Sequence, residues 1–274
     1  MRPTLLRLSR MAALGALMFA TLAGPCRAEV VELKIPIISG QRHLYYVGLL
    51  EAALRAAGHT PKIVIIDKVP QARLWNEVER GGISLFWGLP TPERESRYIG
   101  IGHGLTGGMI GQRVLLVPTD QQSVYAKVRS LDDLRATGKV AGLAQGWVDA
   151  GIWNANQLPV YIKEGEWTEL FKMVANGKQG VDYLSRSVLE AEFEMGENGA
   201  GLAIEPTLML KYDLDMRFYL SRQSATLQPV LEGALDKAER SGLIKKFSRN
   251  YYKTITRTLH LKERKVIALA LPTL

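Results

Sequence analysis

Residues 30–87 decide the fold class, and their sequence is VVELKIPIISGQRHLYYVGLLEAALRAAGHTPKIVIIDKVPQARLWNEVERGGISLFW. Three short apolar runs alternate with two stretches in which apolar residues recur every three or four positions. This alternation predicts strand, helix, strand, helix, strand. Because the connections are short, each helix must cover the sheet and return the chain to the same edge. The stretch therefore predicts an α/β fold with a parallel sheet and right-handed crossovers.

The loops after the predicted strands are the first candidates for a ligand site. The expected strands cover residues 30–37, 62–66 and 83–87, and the expected helices residues 44–57 and 70–80. In such a sheet, the loops that follow the carboxyl ends of the strands collect on one rim, where ligands bind. The candidate ligand-binding residues in these loops are Arg42, Arg73, Trp87, Thr91 and Arg94.

A second α/β unit follows a glycine-rich stretch. Four glycines lie within residues 104–111, and they are either an ordinary loop or a hinge that absorbs backbone rotation. A strand predicted over residues 215–220 returns the chain to the first unit, so two crossings are expected to join two lobes around a cleft. We expect lobe 1 to comprise residues 29–110 and 217–274, and lobe 2 to comprise residues 111–216.

Inside the second unit, the pattern of strands and helices repeats. Ser130 and Asp133 have the spacing of a capping box, which marks the start of a short helix. The further elements expected are strands at 139–144, 158–162 and 180–185, and helices at 148–156, 167–176 and from residue 187.

The first 28 residues have the layout of a secretory signal. Arg2, Arg7 and Arg10 precede an apolar run over residues 11–23, and a small-residue end leads to Ala28. This layout predicts cleavage after Ala28 and a periplasmic location. No later segment approaches the roughly 20 consecutive apolar residues that a membrane-spanning helix needs.

Removal of this segment changes the composition. The single cysteine, Cys26, is lost, so no disulfide is expected in the exported chain. Four arginines and no acids are lost, which lowers the formal charge from +8 to +4. A modestly basic chain of this kind gives little reason to expect nucleic-acid binding, and we expect a monomer.

The remaining positive charge is concentrated near the C-terminus. Residues 237–265 contain ten lysines and arginines against Glu239 and Glu263. Two interpretations remain open: a solvated helical face, or a docking surface for a partner or an anionic membrane.

Several motifs, taken in order along the chain, carry a resemblance to a known family. They are residues 49–54 (LLEAAL), Arg73, residues 91–94 (TPER), the glycine-rich crossing into 113–117 (RVLLV), 130–134 (SLDDL), 170–173 (LFKM) and 181–183 (VDY). In this order and spacing, the chain resembles the family 3 bacterial extracellular solute-binding proteins. The resemblance implies the type II periplasmic binding protein fold, in which two α/β lobes are joined by a two-strand hinge and close on a ligand. It also implies delivery of the ligand to an ABC permease.

The resemblance carries over to few individual residues. Amino-acid-binding members grip the ligand carboxylate with an arginine in a Thr-x-x-Arg pattern, which Thr91 and Arg94 match. Those members hold the ligand amine with an acid in the second lobe, at the position that Ser187 occupies here. The glycine-rich turn with an Asp before the first helix is replaced by residues 40–46, GQRHLYY. These departures indicate an outlying branch of the family and leave the ligand open.

Arg94 is the first candidate for ligand binding, because its planar guanidinium matches a carboxylate in a bidentate manner. The alternative role is a surface ion pair with Glu93 or Glu95. The turn formed by Gln145, Gly146 and Trp147 is expected to precede a helix whose free N–H groups could hold the same anion from the other lobe. The alternative there is an ordinary turn with a tryptophan core anchor.

The second lobe offers two more candidates. Arg186 and Glu190 follow its last predicted strand, and Glu190 could replace the missing amine acceptor. No metal or other cofactor is expected, because His43 and His103 have no companions at metal-ligand spacing and no phosphate-binding glycine loop is present.

The sequence favours a non-enzymatic binding protein for a small polar, carboxylate-bearing ligand, with an ABC permease or a membrane sensor as partner. Two alternatives stay open. One is a sensor or adaptor subunit, supported only by the basic C-terminal stretch. The other is a periplasmic dehydratase of the cyclohexadienyl dehydratase type on the same scaffold, with Glu190 as general acid.

Overall fold

The computed structural model describes residues 29–37, 43–67 and 71–272 of the 274-residue chain. The predicted signal segment, its cleavage point and Arg42 lie outside these residues. The strands are β1 (Val30–Pro36), β2 (Thr60–Ile66), β3 (Leu85–Gly88), β4 (Ile99–Ile101), β5 (Gln112–Pro118), β6 (Ala141–Ala144), β7 (Val160–Lys163), β8 (Tyr183–Ser187), β9 (Leu202–Ile204), β10 (Leu208–Lys211), β11 (Arg217–Leu220) and β12 (Lys265–Ala268). The α-helices are α1 (His43–Ala57), α2 (Gln71–Glu79), α3 (Pro92–Arg97), α4 (Leu131–Ala136), α5 (Asp149–Ala155), α6 (Glu169–Ala175), α7 (Ala191–Asn198), α8 (Gln228–Arg240), α9 (Leu243–Tyr251) and α10 (Lys253–Thr258).

Lobe 1 is built from the strands predicted in residues 30–87. β1 and β2 pair in parallel from Val30 opposite Thr60, as the alternation predicts. The backbone N–H of Ser84 donates to the carbonyl of Lys34 at 2.9 Å and so places the start of β3 beside β1. The returning strand β11 then pairs antiparallel with both β3 and β4. Helices α1, α8 and α9 cover this arrangement, with Leu49 and Leu235 among the fully buried side chains.

Lobe 2 is formed around a larger sheet with the strand order β12, β10, β5, β8, β6, β7, in which β9 also pairs with β5. β6 is parallel to β7 and β8, whereas β5 is antiparallel to β8, β9 and β10. Apolar clusters lie on both faces of the sheet, around Trp153 on one face and Phe171 on the other. Burial of both faces explains the continuous apolar run of β5, where alternating hydrophobicity would otherwise be expected.

The largest shifts of predicted elements occur around residues 180–191. The strand expected at 180–185 is observed at Tyr183–Ser187, and the helix expected from residue 187 begins at Ala191. The predicted helix cap at Ser130 is confirmed, since its hydroxyl accepts the N–H of Asp133 at 3.1 Å. None of the helices in the described part of the chain combines the length and apolar character needed to cross a membrane.

The C-terminal segment differs from the expected lobe boundaries. Residues 217–274 were expected in lobe 1, but β12 pairs in parallel with β10, and Leu259 and Leu261 pack into a lobe 2 cluster. The physical reason is that β10 would otherwise present an open edge with unpaired backbone groups, and β12 satisfies them. The chain therefore crosses between the lobes a third time, after α9.

The two expected crossings are bonded to each other. The carboxylate of Asp215 accepts the backbone N–H of Thr106 at 3.1 Å and that of Gly108 at 2.8 Å. The crossings approach so closely that a Cβ added at Gly111 would lie 2.3 Å from the carbonyl oxygen of Tyr212. Glycine is needed there because no side chain fits between the two backbones.

We therefore expect Gly111→Ala to destabilise the protein by about 1–3 kcal/mol, because the backbones must move apart to admit the methyl group. Urea unfolding would measure this change. The matched control is Gly233→Ala, because the Cβ added at this exposed position in α8 meets nothing within 4 Å. The control should be neutral or slightly stabilising, through the higher helix propensity of alanine. Equal unfolding midpoints for the two variants would show that the crossings are not tightly packed.

Candidate functional site

A cavity of about 370 Å³ lies between the two lobes and is the candidate ligand site. Lobe 1 contributes Gly88, Leu89 and Arg94 to its lining. Lobe 2 contributes Arg113, Gly146, Trp147, Asp149, Trp167, Arg186, Glu190 and Glu194. The cavity thus brings together residues that are more than a hundred positions apart in the sequence, such as Gly88 and Glu194.

Arg94 projects from the first turns of α3 on the lobe 1 side. The hydroxyl of Thr91 caps this helix by accepting the backbone N–H of Arg94 at 3.1 Å. The guanidinium donates from Nη1 to the carbonyl of Leu89 at 2.7 Å and lies 5.7 Å from the ring centroid of Trp75. A Cβ on Gly88 would lie 3.3 Å from Nε of Arg94, so glycine leaves room for the guanidinium.

The neighbouring acids do not pair with Arg94. Glu93 forms an ion pair with Arg97 at 2.7 Å, and Glu95 accepts the hydroxyl of Tyr219 at 2.8 Å. Among the described residues, no carboxylate lies within ion-pair distance of Arg94. Burial lowers the pKa of this guanidinium from its ordinary value, because partial desolvation disfavours the charged form. The alternative role as an ion pair with Glu93 or Glu95 is therefore wrong.

Arg186 is the centre of the lobe 2 wall. Its Nε lies 2.5 Å from Oε2 of Glu194, and its Nη2 lies 3.1 Å from Oε2 of Glu190. The guanidinium lies 4.5 Å from the ring centroid of Trp147 and 5.0 Å from that of Trp167, so two aromatic rings and two carboxylates surround it. Although burial opposes it, the attraction of Glu190 and Glu194 raises the pKa of Arg186.

A second buried ion pair forms the floor of the cavity. Nη2 of Arg113 lies 3.0 Å from Oδ1 of Asp149, and the hydroxyl of Tyr212 donates to the same oxygen at 3.0 Å. The side chains of Arg113 and Asp149 are only 3% and 5% exposed, so both charges are desolvated and depend on each other. Nη2 of Arg113 also donates to the carbonyl of Ser185 at 3.1 Å.

The charges of the cavity are unequally divided between the lobes. Among the described lining residues, lobe 2 contributes two arginines, Arg113 and Arg186, and three carboxylates. Lobe 1 contributes the charge of Arg94 alone. The lobe 2 wall therefore carries one excess negative charge opposite one positive charge on lobe 1.

Half of the predicted site residues line this cavity. Arg94, Gly146, Trp147, Arg186 and Glu190 do so. Gly146 has a φ of +80°, a conformation that suits a glycine in a tight turn.

Four further predicted residues that the structure describes do not line the cavity. Thr91 acts as the cap of α3, and Trp87 stacks on Tyr46 with ring centroids 4.5 Å apart. Arg73 and Gln145 are exposed and do not line the cavity. Trp87 therefore packs against the lobe 1 core and does not line the cavity.

The start of α5 has fewer free N–H donors for an anion than its sequence predicts. The N–H of Trp147 already donates to the carbonyl of Ala144 at 3.1 Å. The carboxylate of Asp149 occupies the first turn of the helix, where the helix dipole favours a negative charge. The turn therefore contributes the backbone of Gly146 and the ring of Trp147 to the site, beside an acid rather than an empty anion pocket.

Among the charged and aromatic lining residues, the sequence-based prediction missed Arg113, Asp149, Trp167 and Glu194. A signal existed for Arg113, because a charged residue opens the otherwise apolar strand segment 113–117. The two acids are ordinary helix residues by sequence pattern, and only the packing of α5 and α7 against β5 and β8 brings them to the arginines. Within the described residues, no group of three His, Cys, Asp or Glu side chains is placed to hold a metal ion.

No protein-family model matches the chain, and no curated protein matches it in sequence. Solved structures do match. One of them comes from work on glutathione import in Gram-positive bacteria via GshT and the cystine ABC importer TcyBC of Streptococcus mutans. It is 16% identical to this chain, with a TM-score of 0.52 over 82% of this chain and 95% of that one. An ancestral arginine-binding protein bound to arginine is 15% identical, with a TM-score of 0.53 over 81% of this chain and 98% of its own.

The GluR0 ligand-binding core in complex with L-glutamate is also similar, at 15% identity and a TM-score of 0.52 over 80% of this chain and 97% of that one. Identities this low establish the fold alone. The chain therefore has the type II periplasmic binding protein fold, as the order of its motifs predicts.

Proposed function

We propose that the protein is a periplasmic solute-binding protein that closes its two lobes on a small polar ligand with a carboxylate group. One observation carries this proposal: Arg94 lines the cavity between the lobes with no described carboxylate as partner. Structural neighbours include amino-acid-binding proteins of ABC importers. Delivery of the ligand to an ABC permease is therefore part of the proposal, with the protein acting as a monomer and without a catalytic step.

The hydrogen bonds of Arg94 support its role in binding the ligand carboxylate. The bond from Nη1 to the Leu89 carbonyl fixes the position of the guanidinium. Its other N–H donors have no acceptor among the described residues. A ligand carboxylate would accept two hydrogen bonds from these donors. It would also stabilise the positive charge of the guanidinium, which partial burial has desolvated.

The charge of the lobe 2 wall favours a ligand that also carries a positively charged group. This wall carries three carboxylates and two arginines, and its excess negative charge faces Arg94 across the cavity. Ser187, at the position of the amine-binding acid in the resembling family, is buried, and its hydroxyl accepts the N–H of Leu189 at 3.2 Å. Glu190 lines the cavity and is the residue we assign to contact a ligand amine.

Closure of the lobes would strengthen both contacts. In an open cleft, Arg94 would meet a carboxylate in water, where their attraction is weak. Closure excludes solvent and lowers the local dielectric constant, which increases the attraction on both sides of the ligand. The ligand would therefore favour the closed state because it contacts both walls only in that state.

A thermal-shift screen tests the proposal. We expect a zwitterionic amino acid or a related small carboxylate to raise the melting temperature, because a ligand that binds only the native state adds about 2.7 kcal/mol at a concentration of 100 times its Kd. The corresponding amine without a carboxylate is the matched negative control. If amines alone stabilise the protein and no carboxylate does, the assignment of Arg94 as the grip is wrong.

A further inference from the structure

A second cavity, of about 680 Å³, lies on the surface near the C-terminus. Its ionisable lining residues are Arg249 on α9, Lys253 and Arg257 on α10, and His260, Lys262 and Glu263 in the loop that follows. We refer to this cavity as the basic groove. It shares no lining residue with the cavity between the lobes.

The cations of the basic groove lie together on one concave surface. Some exposed cations elsewhere pair with acids, as Lys62 does with Glu32 at 2.7 Å and Lys139 with Asp182 at 2.8 Å. In the described part of the chain, neither the groove lysines nor the groove arginines have a carboxylate within ion-pair distance. The one lining acid, Glu263, lies beside His260 at 3.4 Å. Unpaired like charges repel one another, and an anion placed among them would remove that repulsion.

The walls of the groove are anchored in the cores of both lobes. Tyr252, between α9 and α10, packs into the lobe 1 core, and Leu259 packs into lobe 2. The buried Arg264 donates to the carbonyls of Leu259 at 2.7 Å and Leu208 at 2.8 Å and so fixes the loop after α10. The cations therefore project from a preformed backbone, which lowers the entropy cost of binding.

We propose that the basic groove binds an acidic segment of a partner protein. A concave groove with cations on its walls suits a chain that carries several side-chain carboxylates, since each carboxylate can approach a separate cation. A flat membrane surface would reach only the rim of such a groove. Because the groove lies on the third crossing between the lobes, the bound segment would contact the part of the chain that links them.

The test uses a fluorescein-labelled peptide of about ten glutamates and measures its fluorescence anisotropy with the purified protein. We expect the triple variant Lys253→Glu, Arg257→Glu, Lys262→Glu to bind the peptide about tenfold or more weakly than the parent, because three exposed ion pairs become repulsive. Binding by the parent should also be lost at 1 M salt, where the screening length falls to about 3 Å.

The matched control is the triple variant Arg80→Glu, Lys127→Glu, Lys172→Glu. It changes the net charge equally at exposed positions outside the groove, and we expect it to bind within about twofold of the parent. Circular dichroism is used to check that both variants fold. If charge reversal unfolds the groove variant, glutamine at the same three positions removes the cations without adding acids.

Three outcomes would overturn the proposal: no binding of the peptide by the parent, an equal loss of binding in both triple variants, or tighter binding to phosphatidylglycerol vesicles that depends on the groove cations. An equal loss would mean that net charge alone attracts the peptide. The vesicle result would assign the groove to an anionic membrane instead. None of these outcomes bears on ligand binding at Arg94, which the thermal-shift screen tests separately.

Discussion

Replacement of Arg94 by alanine is expected to weaken binding of the carboxylate ligand by about 2–5 kcal/mol, or roughly 30- to 4,000-fold. The loss is large because the closed cleft would leave a desolvated carboxylate without a counterion. The stability of the protein should change little, since the Arg94 side chain makes one hydrogen bond, to Leu89, and no ion pair with a described acid. Isothermal titration calorimetry with a ligand from the screen, together with urea unfolding, separates the two effects.

Two further variants make this result specific. Arg94→Lys should recover only part of the affinity, because the charge returns without the bidentate fork. Arg73→Ala removes an exposed arginine from α2 that does not line the cavity, and it should bind the ligand like the parent. If Arg94→Ala binds as tightly as Arg73→Ala, Arg94 is a surface residue and the proposed site is wrong.

Replacement of Asp149 by alanine is expected to destabilise the protein by about 3–5 kcal/mol. Arg113 would then keep a buried positive charge without its partner, and the hydroxyl of Tyr212 would lose its acceptor. Both side chains of the ion pair are almost fully buried, so the charge of Arg113 would stay poorly hydrated. Urea unfolding would show the change as a lower midpoint.

The control for this prediction is Asp132→Ala, because Asp132 also pairs with an arginine, at 2.7 Å, but is 87% exposed. An exposed pair contributes little, and we expect a loss below about 1 kcal/mol. The double variant Arg113→Met, Asp149→Leu should recover much of the stability lost in Asp149→Ala, since it leaves no buried charge unpaired. Similar unfolding midpoints for Asp149→Ala and Asp132→Ala would contradict the buried ion pair.

The two positions also predict different readouts for one cavity. Substitution of Arg94 should change ligand affinity with little change in the free energy of unfolding. Substitution of Asp149 should change the free energy of unfolding, because Asp149 already forms an ion pair with Arg113. The structural reason is that the lobe 1 wall presents a cation with no acid partner, while the lobe 2 wall presents cations that the protein itself neutralises.

The sequence by itself predicted the elements of residues 30–87 and several candidate residues of the cavity between the lobes. The spacing of apolar residues in 30–87 was sufficient to predict β1, α1, β2, α2 and β3. A buried strand or an amphipathic helix leaves a recognisable pattern of apolar residues in the sequence. Thr91 and Arg94 were identified from their Thr-x-x-Arg pattern, whereas the capping of α3 by Thr91 was not predicted and only Arg94 lines the cavity.

Only the tertiary structure decided which distant residues meet. The association of β12 with lobe 2 depends on the open edge of β10, which no local pattern in residues 265–268 reveals. The pairing of Arg113 with Asp149, and of Arg186 with Glu194, depends on how α5 and α7 pack against the larger sheet. Periodicity identifies which face of an element is buried, but the partner of a buried charge is set by contacts between elements, where desolvation makes the pairing necessary.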